Sequence, residues 1–258
     1  MNSPTIGFIG GGRITRIFLE GWARAQRTPV AIIVSDPNQD ALDSLKSRFT
    51  GILTTPDNAI AARQDLVFLA VHPPLIEEVV AGIREHLKPD AIMVSLAPKF
   101  TIAKLTELLG GFARLARVIP NAPSIIGAGF NPHTFATALN MADKKIIADL
   151  LAPLGECPEV VEGKLEAYAV LTAMGPTYLW FQLQALRELA DGFGLDDAEI
   201  GPALRAMVCG ATQTLLESGL SPANVINLIP VKPLAAMEPQ VTETYRTCLP
   251  TIYHKIKP

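Results

Sequence analysis

A glycine-rich turn near the amino terminus is the first feature that could bind a ligand. The apolar run at residues 5–9 leads into Gly10, Gly11 and Gly12, and a helical pattern begins near Arg13 and Ile14. Glycine at position 10 permits a tight turn, and glycine at position 12 lets the backbone approach a bound group closely. The helix presents free N–H groups and the positive end of its dipole. This combination predicts a diphosphate site; a turn that binds nothing is the alternative.

A second candidate group follows the next apolar run, at residues 30–34, where Ser35, Asp36 and Asn38 stand. In a strand–helix–strand unit this position meets the adenosine ribose of a dinucleotide. A carboxylate at Asp36 would accept hydrogen bonds from the ribose hydroxyls of NAD and repel the extra phosphate of NADP. Asp36 could instead only cap the following helix. Ser35, Asn38 and Arg13 could accommodate a phosphate, so NAD and NADP both stay open.

The pattern of the first half supplies the elements that would position these residues. Apolar, β-branched runs alternate with helical patterns, which predicts a parallel sheet covered by helices on both faces. The predicted strands are residues 5–9, 30–34, 66–70, 91–96 and 115–119. The predicted helices are residues 14–26, a segment after Asp36 and Pro37, residues 75–87, and a segment from Thr101 to Gly110 and Gly111. We therefore expect a Rossmann dinucleotide-binding domain over residues 1–155.

The second half of the chain has a different, helical pattern. Residues 165–190 read as a long apolar helix interrupted by Gly175 and Pro176, and Asp196 and Ser221 are typical helix caps. The charged residues are few, so these helices have more apolar surface than one small domain would bury. We expect residues 156–258 to form an all-α dimerisation domain, which makes a homodimer or a larger oligomer.

Composition excludes several classes of function. The formal net charge of −3 and a charged fraction of 18% provide no basic field for nucleic acid or an anionic membrane. No run approaches the roughly 20 apolar residues of a membrane span, and residues 1–5 do not resemble a signal peptide, so we expect a cytoplasmic protein. The spacing of Cys157, Cys209 and Cys248 suggests core thiols and no metal site. Trp22 and Trp180 are also expected in the core.

Four segments, at residues 6–12, 67–73, 117–123 and 175–178, together resemble the pyrroline-5-carboxylate reductase family. Their order and spacing match along nearly the whole chain. The third, Arg-Val-Ile-Pro-Asn-Ala-Pro, is similar to the family's Arg-Val-Met-Pro-Asn-Thr-Pro run. The resemblance implies a Rossmann domain and a helical domain that interlocks with its copy, with the active site where the two meet, so residues 156–258 are expected to serve as a dimerisation and substrate domain. It also implies reduction of the cyclic imine pyrroline-5-carboxylate to proline with NADPH or NADH.

The glycine turn and the resemblance together predict the site residues. For the cofactor they are Gly10, Gly11, Gly12, Arg13, Ile14, Ser35, Asp36, Asn38, Asn58, Ala70, Val71, His72, Pro73 and Asn121. For the substrate they are Thr172, Gly175, Pro176, Thr177 and Lys232. Thr172, Tyr178 and Lys232 are the candidate catalytic residues.

Pro176 gives an independent reason to consider Thr172. Proline has no N–H, so inside a helix the carbonyl of Thr172, four residues earlier, would lose its usual partner. That carbonyl and the Thr172 hydroxyl could face a substrate imine, or the kink could serve packing alone. Hydride transfer chiefly requires that cofactor and substrate be held face to face. The imine can arrive protonated, or water or Thr172 can supply the proton.

The chain departs from the family pattern where a substrate carboxylate would bind. The family's Pro-Gly-Gly-Thr-Thr loop is replaced by Ile-Pro-Val-Lys-Pro-Leu at residues 229–234. The two prolines remove amide donors, so a nest of backbone amides cannot form in the same way. Lys232 could replace the nest as a point charge, or it could simply be solvated. The substrate is then pyrroline-5-carboxylate or another imine or carbonyl compound; a dinucleotide-binding regulatory protein without catalysis is the remaining alternative.

Smaller departures occur near the cofactor. Thr15 stands at the third position of the glycine fingerprint, Arg13 replaces the family's asparagine, and His72 replaces its lysine. Met174 replaces a polar residue in the turn before Pro176. Cofactor binding is therefore better supported by the resemblance than the identity of the substrate.

Overall fold

A seven-stranded sheet forms the centre of the first half of the chain. The computed structural model describes residues 4–258. The strands of this sheet are β1 (Ile6–Ile9), β2 (Ile32–Ser35), β3 (Ile52–Thr55), β4 (Leu66–Leu69), β5 (Ile92–Ser95), β6 (Leu115–Val118) and β8 (His133–Phe135). The short strands β7 (Gly129–Phe130) and β9 (Gly155–Glu156) form a separate parallel pair. The order in the sheet is β3-β2-β1-β4-β5-β6-β8; only β8 runs antiparallel to its neighbour. The order of the six parallel strands is that of the Rossmann fold.

Helices cover the sheet and make up the second half. They are α1 (Arg13–Arg24), α2 (Gln39–Arg48), α3 (Asn58–Ala62), α4 (Ile76–Ile83), α5 (Ile102–Leu108), α6 (Met141–Leu151), α7 (Leu165–Tyr168), α8 (Pro176–Gly192), α9 (Asp197–Glu217), α10 (Pro222–Ile226) and α11 (Glu238–Ile256). The predicted fold class, an α/β Rossmann domain followed by an all-α region, is confirmed.

An aromatic cluster fixes α1 against the centre of the sheet. Phe8 of β1 stacks on Phe68 of β4 with ring centroids 4.7 Å apart, and Phe18 and Trp22 of α1 pack edgewise or tilted against both. All four rings are fully buried. The Trp22 indole also donates a hydrogen bond to the carbonyl of Leu150 in α6, at 2.7 Å. This packing sets the direction of α1 and hence the position of its first turn, next to the glycines.

Several details of the sequence prediction are wrong. Strand β3 was not predicted because Ile-Leu-Thr-Thr is a short run with only two apolar residues. It lies at the edge of the sheet, where only its first residue is buried. Strand β2 starts later than expected, and Val30 is 85% exposed. Cys209, Cys248 and Trp180 were expected in the core but are exposed in the single chain. The cysteines were expected to be core thiols because their spacing fits neither a disulfide nor a metal site, and Trp180 because it lies within a helix; one copy of α8, α9 and α11 does not bury these side chains.

The chain divides into two compact units after Met174. The first contains the sheet together with Ile252–Pro258, and the second is Gly175–Thr251. Residues 156–174 belong to the first unit, where Leu165 and Ala169 pack against Ile119 at the end of β6. The functional boundary between residues 155 and 156 stays a prediction. Among residues 4–258, no helix has the length and apolar character needed to cross a membrane.

The contact between β1 and α3 gives a stability prediction. A Cβ on Gly7 would overlap the carbonyl oxygen of Ala61, a backbone atom that cannot turn away. Gly7→Ala should therefore lower the free energy of unfolding by about 2 kcal/mol or more, because overpacking forces the backbone to move. Urea denaturation measures this change. Gly51→Ala is the matched control, since a Cβ there meets no described atom within 4 Å; equal effects of the two substitutions would contradict the close contact.

Candidate dinucleotide and substrate site

The glycine turn has the geometry that a diphosphate requires. Gly10 has φ 107°, and a Cβ there would lie 2.5 Å from the carbonyl oxygen of Ala70, so only glycine fits. A Cβ on Gly12, by contrast, meets no atom of residues 4–258 within 4 Å. Gly12 is the N-cap of α1, and no side chain of the described residues caps this helix. Open space and unsatisfied N–H groups therefore coincide at the end of a helix, and the turn fits a bound anion.

Thr15 completes this turn. Its hydroxyl donates a hydrogen bond to the carbonyl of Gly10 at 2.5 Å, and the side chain is fully buried. The residue that departs from the glycine fingerprint therefore closes the turn by a hydrogen bond.

Asp36 links the end of β2 to the glycine turn. Its Oδ2 accepts a hydrogen bond from the N–H of Gly11 at 2.7 Å, and its Oδ1 accepts one from the N–H of Asn38 at 2.8 Å. The alternative that Asp36 caps α2 is wrong, because Asn38 is the N-cap and accepts from the N–H groups of Asp40 and Ala41. A carboxylate oxygen can accept more than one hydrogen bond, so Asp36 retains acceptor capacity for a ribose.

Ser35 points into the protein. Its fully buried hydroxyl lies 2.8 Å from Oδ1 of Asn58 and 3.2 Å from the carbonyl oxygen of Phe8. These bonds hold the start of α3 against the end of β2. A direct contact of Ser35 or Asn58 with the cofactor stays a prediction.

The remaining cofactor residues follow β1, β4 and β6. Arg13 and Ile14 open α1; Ala70 and Val71 follow β4, and His72 precedes a short 3₁₀ turn that starts at Pro73. Parallel strands bring their carboxyl ends to one edge of the sheet, so these residues share the edge with Gly10 and Asp36. Their contacts with a cofactor stay predictions.

Asn121 connects this sheet edge to Thr172. The buried Asn121 amide donates to the carbonyl of Thr172 at 3.2 Å and accepts from the N–H of Phe130 at 3.1 Å. The expectation that the Thr172 carbonyl lacks a partner is therefore wrong. The Thr172 hydroxyl donates to the carbonyl of Tyr168 at 2.9 Å.

The helical segment predicted over residues 165–190 is interrupted at Gly175 and Pro176 as expected, but the expectation that Pro176 lies inside a helix is wrong. Residues 169–173 form a π-helical turn, and Pro176 is the first residue of α8 rather than an interior kink. Proline is well suited to that first position because its missing N–H would have no partner there. A π-helical turn is a frequent feature of functional sites.

The other substrate candidates lie in the second unit. Gly175 precedes α8, which begins with Pro176, Thr177 and Tyr178. The Tyr178 ring packs against Tyr245 with centroids 5.9 Å apart, and partial burial raises the pKa of Tyr178. The Lys232 ammonium donates to Oδ1 of Asn227 at 3.2 Å. A contact of these residues with substrate stays a prediction.

A buried ion network near Thr172 was not predicted from the sequence. The guanidinium of Arg117 in β6 is fully buried, and its Nη1 and Nη2 lie 3.0 Å from Glu162 and 2.5 Å from Glu166. Glu162 also accepts from the N–H of Ile102 at 2.6 Å, and Glu166 from the N–H of Lys99 at 3.1 Å. An arginine inside an apolar strand was the available signal, because a buried charge requires a counter-charge. The sequence pattern did not identify the carboxylates that supply this counter-charge to Arg117.

Within residues 4–258, no group of three or more histidine, cysteine, aspartate or glutamate side chains is placed to hold a metal ion.

Comparison with known proteins identifies relatives of this chain. Residues 5–99 match the family described as "NADP oxidoreductase coenzyme F420-dependent". A pyrroline-5-carboxylate reductase of Corynebacterium melassecola is 30% identical over 225 residues, which are 86% of this chain and 83% of that protein. The Escherichia coli (strain K12) enzyme of the same name is 25% identical over 225 residues, with 87% and 84% coverage.

Solved structures show the same architecture. Pyrroline carboxylate reductase of Plasmodium falciparum, with NADP bound, superposes with a TM-score of 0.82 at 21% identity and covers 100% of this chain and 98% of that one. The Coxiella burnetii pyrroline-5-carboxylate reductase gives 0.71 at 26% identity, with 99% and 96% coverage. The fold, the glycine turn and these matches define an NAD(P)-dependent oxidoreductase. The chain belongs to the pyrroline-5-carboxylate reductase family.

Gly12→Ala separates cofactor binding from folding. Because the added Cβ meets no described atom, the melting temperature should stay unchanged. The Cβ would enter the space that a diphosphate needs, so the dissociation constant for the dinucleotide should rise by about tenfold or more. Calorimetric titration measures the affinity, with Gly51→Ala as the control. Unchanged affinity would place the diphosphate elsewhere.

Asp36→Ser tests the choice between NADH and NADPH. Loss of the carboxylate removes repulsion of the 2′-phosphate, so the affinity for NADPH should rise relative to NADH by about tenfold. Asp43→Ser, an exposed acid on α2, is the control for net charge. The ratio of the two dissociation constants is the readout. If the ratio of the dissociation constants for NADH and NADPH changed equally in Asp36→Ser and Asp43→Ser, Asp36 would have a structural role only.

Proposed function

We propose that this chain reduces pyrroline-5-carboxylate to proline, or a related cyclic imine to its amine, with NADH or NADPH. The observation that carries the proposal is the hydrogen bond from Asn121 to the carbonyl of Thr172. It brings a candidate substrate residue to the same sheet edge as the glycine turn and Asp36. The named relatives, which align over more than four fifths of their length, support the same reaction.

The residues of the first unit have separate tasks in this reaction. The start of α1 holds the diphosphate by backbone N–H groups, and Asp36 accepts hydrogen bonds from the adenosine ribose. When bound, the cofactor supplies a hydride to the imine carbon.

The geometry suggests an acceptor role for Thr172. Its hydroxyl proton is directed to the carbonyl of Tyr168, so its oxygen lone pairs remain for a donor. A protonated imine nitrogen is such a donor. Thr172 would then orient the substrate, which arrives protonated, and no side-chain acid is required.

We further propose that the second unit forms the homodimer interface. In the single chain its helices expose large apolar side chains, which include Trp180, Phe181, Leu189, Phe193 and Leu216. Exposed apolar area of this extent is typical of surfaces that a partner covers. The substrate roles of Gly175, Pro176, Thr177, Tyr178 and Lys232 and the cytoplasmic location remain predictions of the sequence.

Turnover by the purified full-length chain tests the proposed reaction. With pyrroline-5-carboxylate present, we expect oxidation of NADH or NADPH and formation of proline in equal amounts. Absorbance of the reduced nicotinamide and amino-acid analysis measure the two. Gly12→Ala should lower the rate at limiting cofactor. Cofactor binding without oxidation across cyclic imines and keto acids would contradict catalysis and favour a regulatory protein.

A further inference from the structure

The backbone at Lys99 adopts a conformation that lysine rarely takes. Its φ is 79°, in the left-handed region. Among residues 4–258, Gln26, just after α1, is the only other residue besides glycine with positive φ. This region crowds the Cβ of an L residue, whereas glycine enters it freely. Non-glycine residues persist in it where surrounding structure holds them, and such positions cluster at ligand sites.

The buried ion network holds Lys99 in place. Its backbone N–H donates to Oε1 of Glu166 at 3.1 Å, and Glu166 is only 2% exposed and paired with Arg117. A glycine could make the same backbone hydrogen bond at a lower conformational cost. The hydrogen bond therefore explains the backbone conformation but gives no reason for the lysine side chain.

Lys99 lies where the substrate end of the site is expected. It follows β5, which pairs with β4 on one side and with β6 on the other. A dinucleotide that starts at Asp36 after β2 and crosses the turn after β1 extends towards β4 and β5. The Asn121–Thr172 contact follows β6. The lysine thus stands between the cofactor strands and the candidate substrate residue, all within one compact unit.

The Lys99 ammonium is available to an anion. The side chain is exposed, and within the described part of the chain it forms no ion pair. The nearby carboxylates of Glu162 and Glu166 are already paired with Arg117. We propose that Lys99 binds the carboxylate of the imine substrate. This inference rests on the proposed function and supplies a cation for an acidic substrate, since the loop at residues 229–234 lacks the amide donors.

Ligand binding tests the inference without turnover. Full-length protein saturated with its oxidised dinucleotide is titrated with proline and with pyrrolidine, which is the same ring without a carboxylate. Wild type should bind proline more tightly, and Lys99→Gly should reduce this preference by about 10- to 100-fold, the range for a charged hydrogen bond. Glycine suits the backbone, so Lys99→Gly should fold with an unchanged or higher melting temperature. Lys99→Arg should retain the preference.

Kinetics give a second readout and separate the two proposals. Lys99→Gly should raise KM for pyrroline-5-carboxylate by the same factor of about 10 to 100. KM for 1-pyrroline, which has no carboxylate, should stay unchanged. Lys104→Ala, an exposed lysine paired with Glu107 on α5, is the control and should match wild type. Wild type without turnover but with a Lys99-dependent preference for proline would refute only the proposed reaction. Three outcomes would overturn the role of Lys99. Wild type could bind proline no more tightly than pyrrolidine, Lys99→Gly could keep the preference for proline, or Lys232→Ala could lose it instead.

Discussion

The fully buried guanidinium of Arg117 is the constraint on which the site depends. A buried charge is tolerated only when it is paired and hydrogen-bonded, so two carboxylates must reach the end of β6. Glu162 and Glu166 do so, and this brings residues 162–174 back onto the sheet. The same carboxylates accept from the N–H groups of Lys99 and Ile102. One buried cation therefore positions both the loop after β5 and the segment that carries Thr172.

The cofactor half of the site depends on a different set of interactions. The aromatic cluster directs α1, Thr15 closes the glycine turn, and Asp36 bonds to the N–H of Gly11. These are short-range contacts between neighbouring elements at one sheet edge. Because a diphosphate at a helix end is held largely by backbone N–H groups, such a turn needs few particular side chains, which is consistent with Thr15 at a position where glycine or alanine is usual.

The sequence predicted those parts of the molecule that local pattern determines. Alternating apolar runs and caps such as Thr101, Asp196 and Ser221 predicted the sheet and most helices, and the caps hold in the structure. Strand β3 was missed because an edge strand lacks a continuous apolar run. The partner of the Thr172 carbonyl could not be predicted, since Asn121 lies 51 positions away and no local pattern encodes that contact. The carboxylates around Arg117 were missed for the same reason.

Backbone amides and a lysine side chain make different demands on the chain, and for this reason a family fold can keep its cofactor site while its substrate anchor changes. A nest of backbone amides needs consecutive N–H groups in one loop conformation, and Pro230 and Pro233 remove two of them. A lysine acts as a point charge on a flexible stem, so its backbone can lie on another loop and still place the ammonium near the same carboxylate. The requirement is only that the loop be fixed and the ammonium be unpaired. At Lys99, Glu166 fixes the backbone while its own charge is used by Arg117.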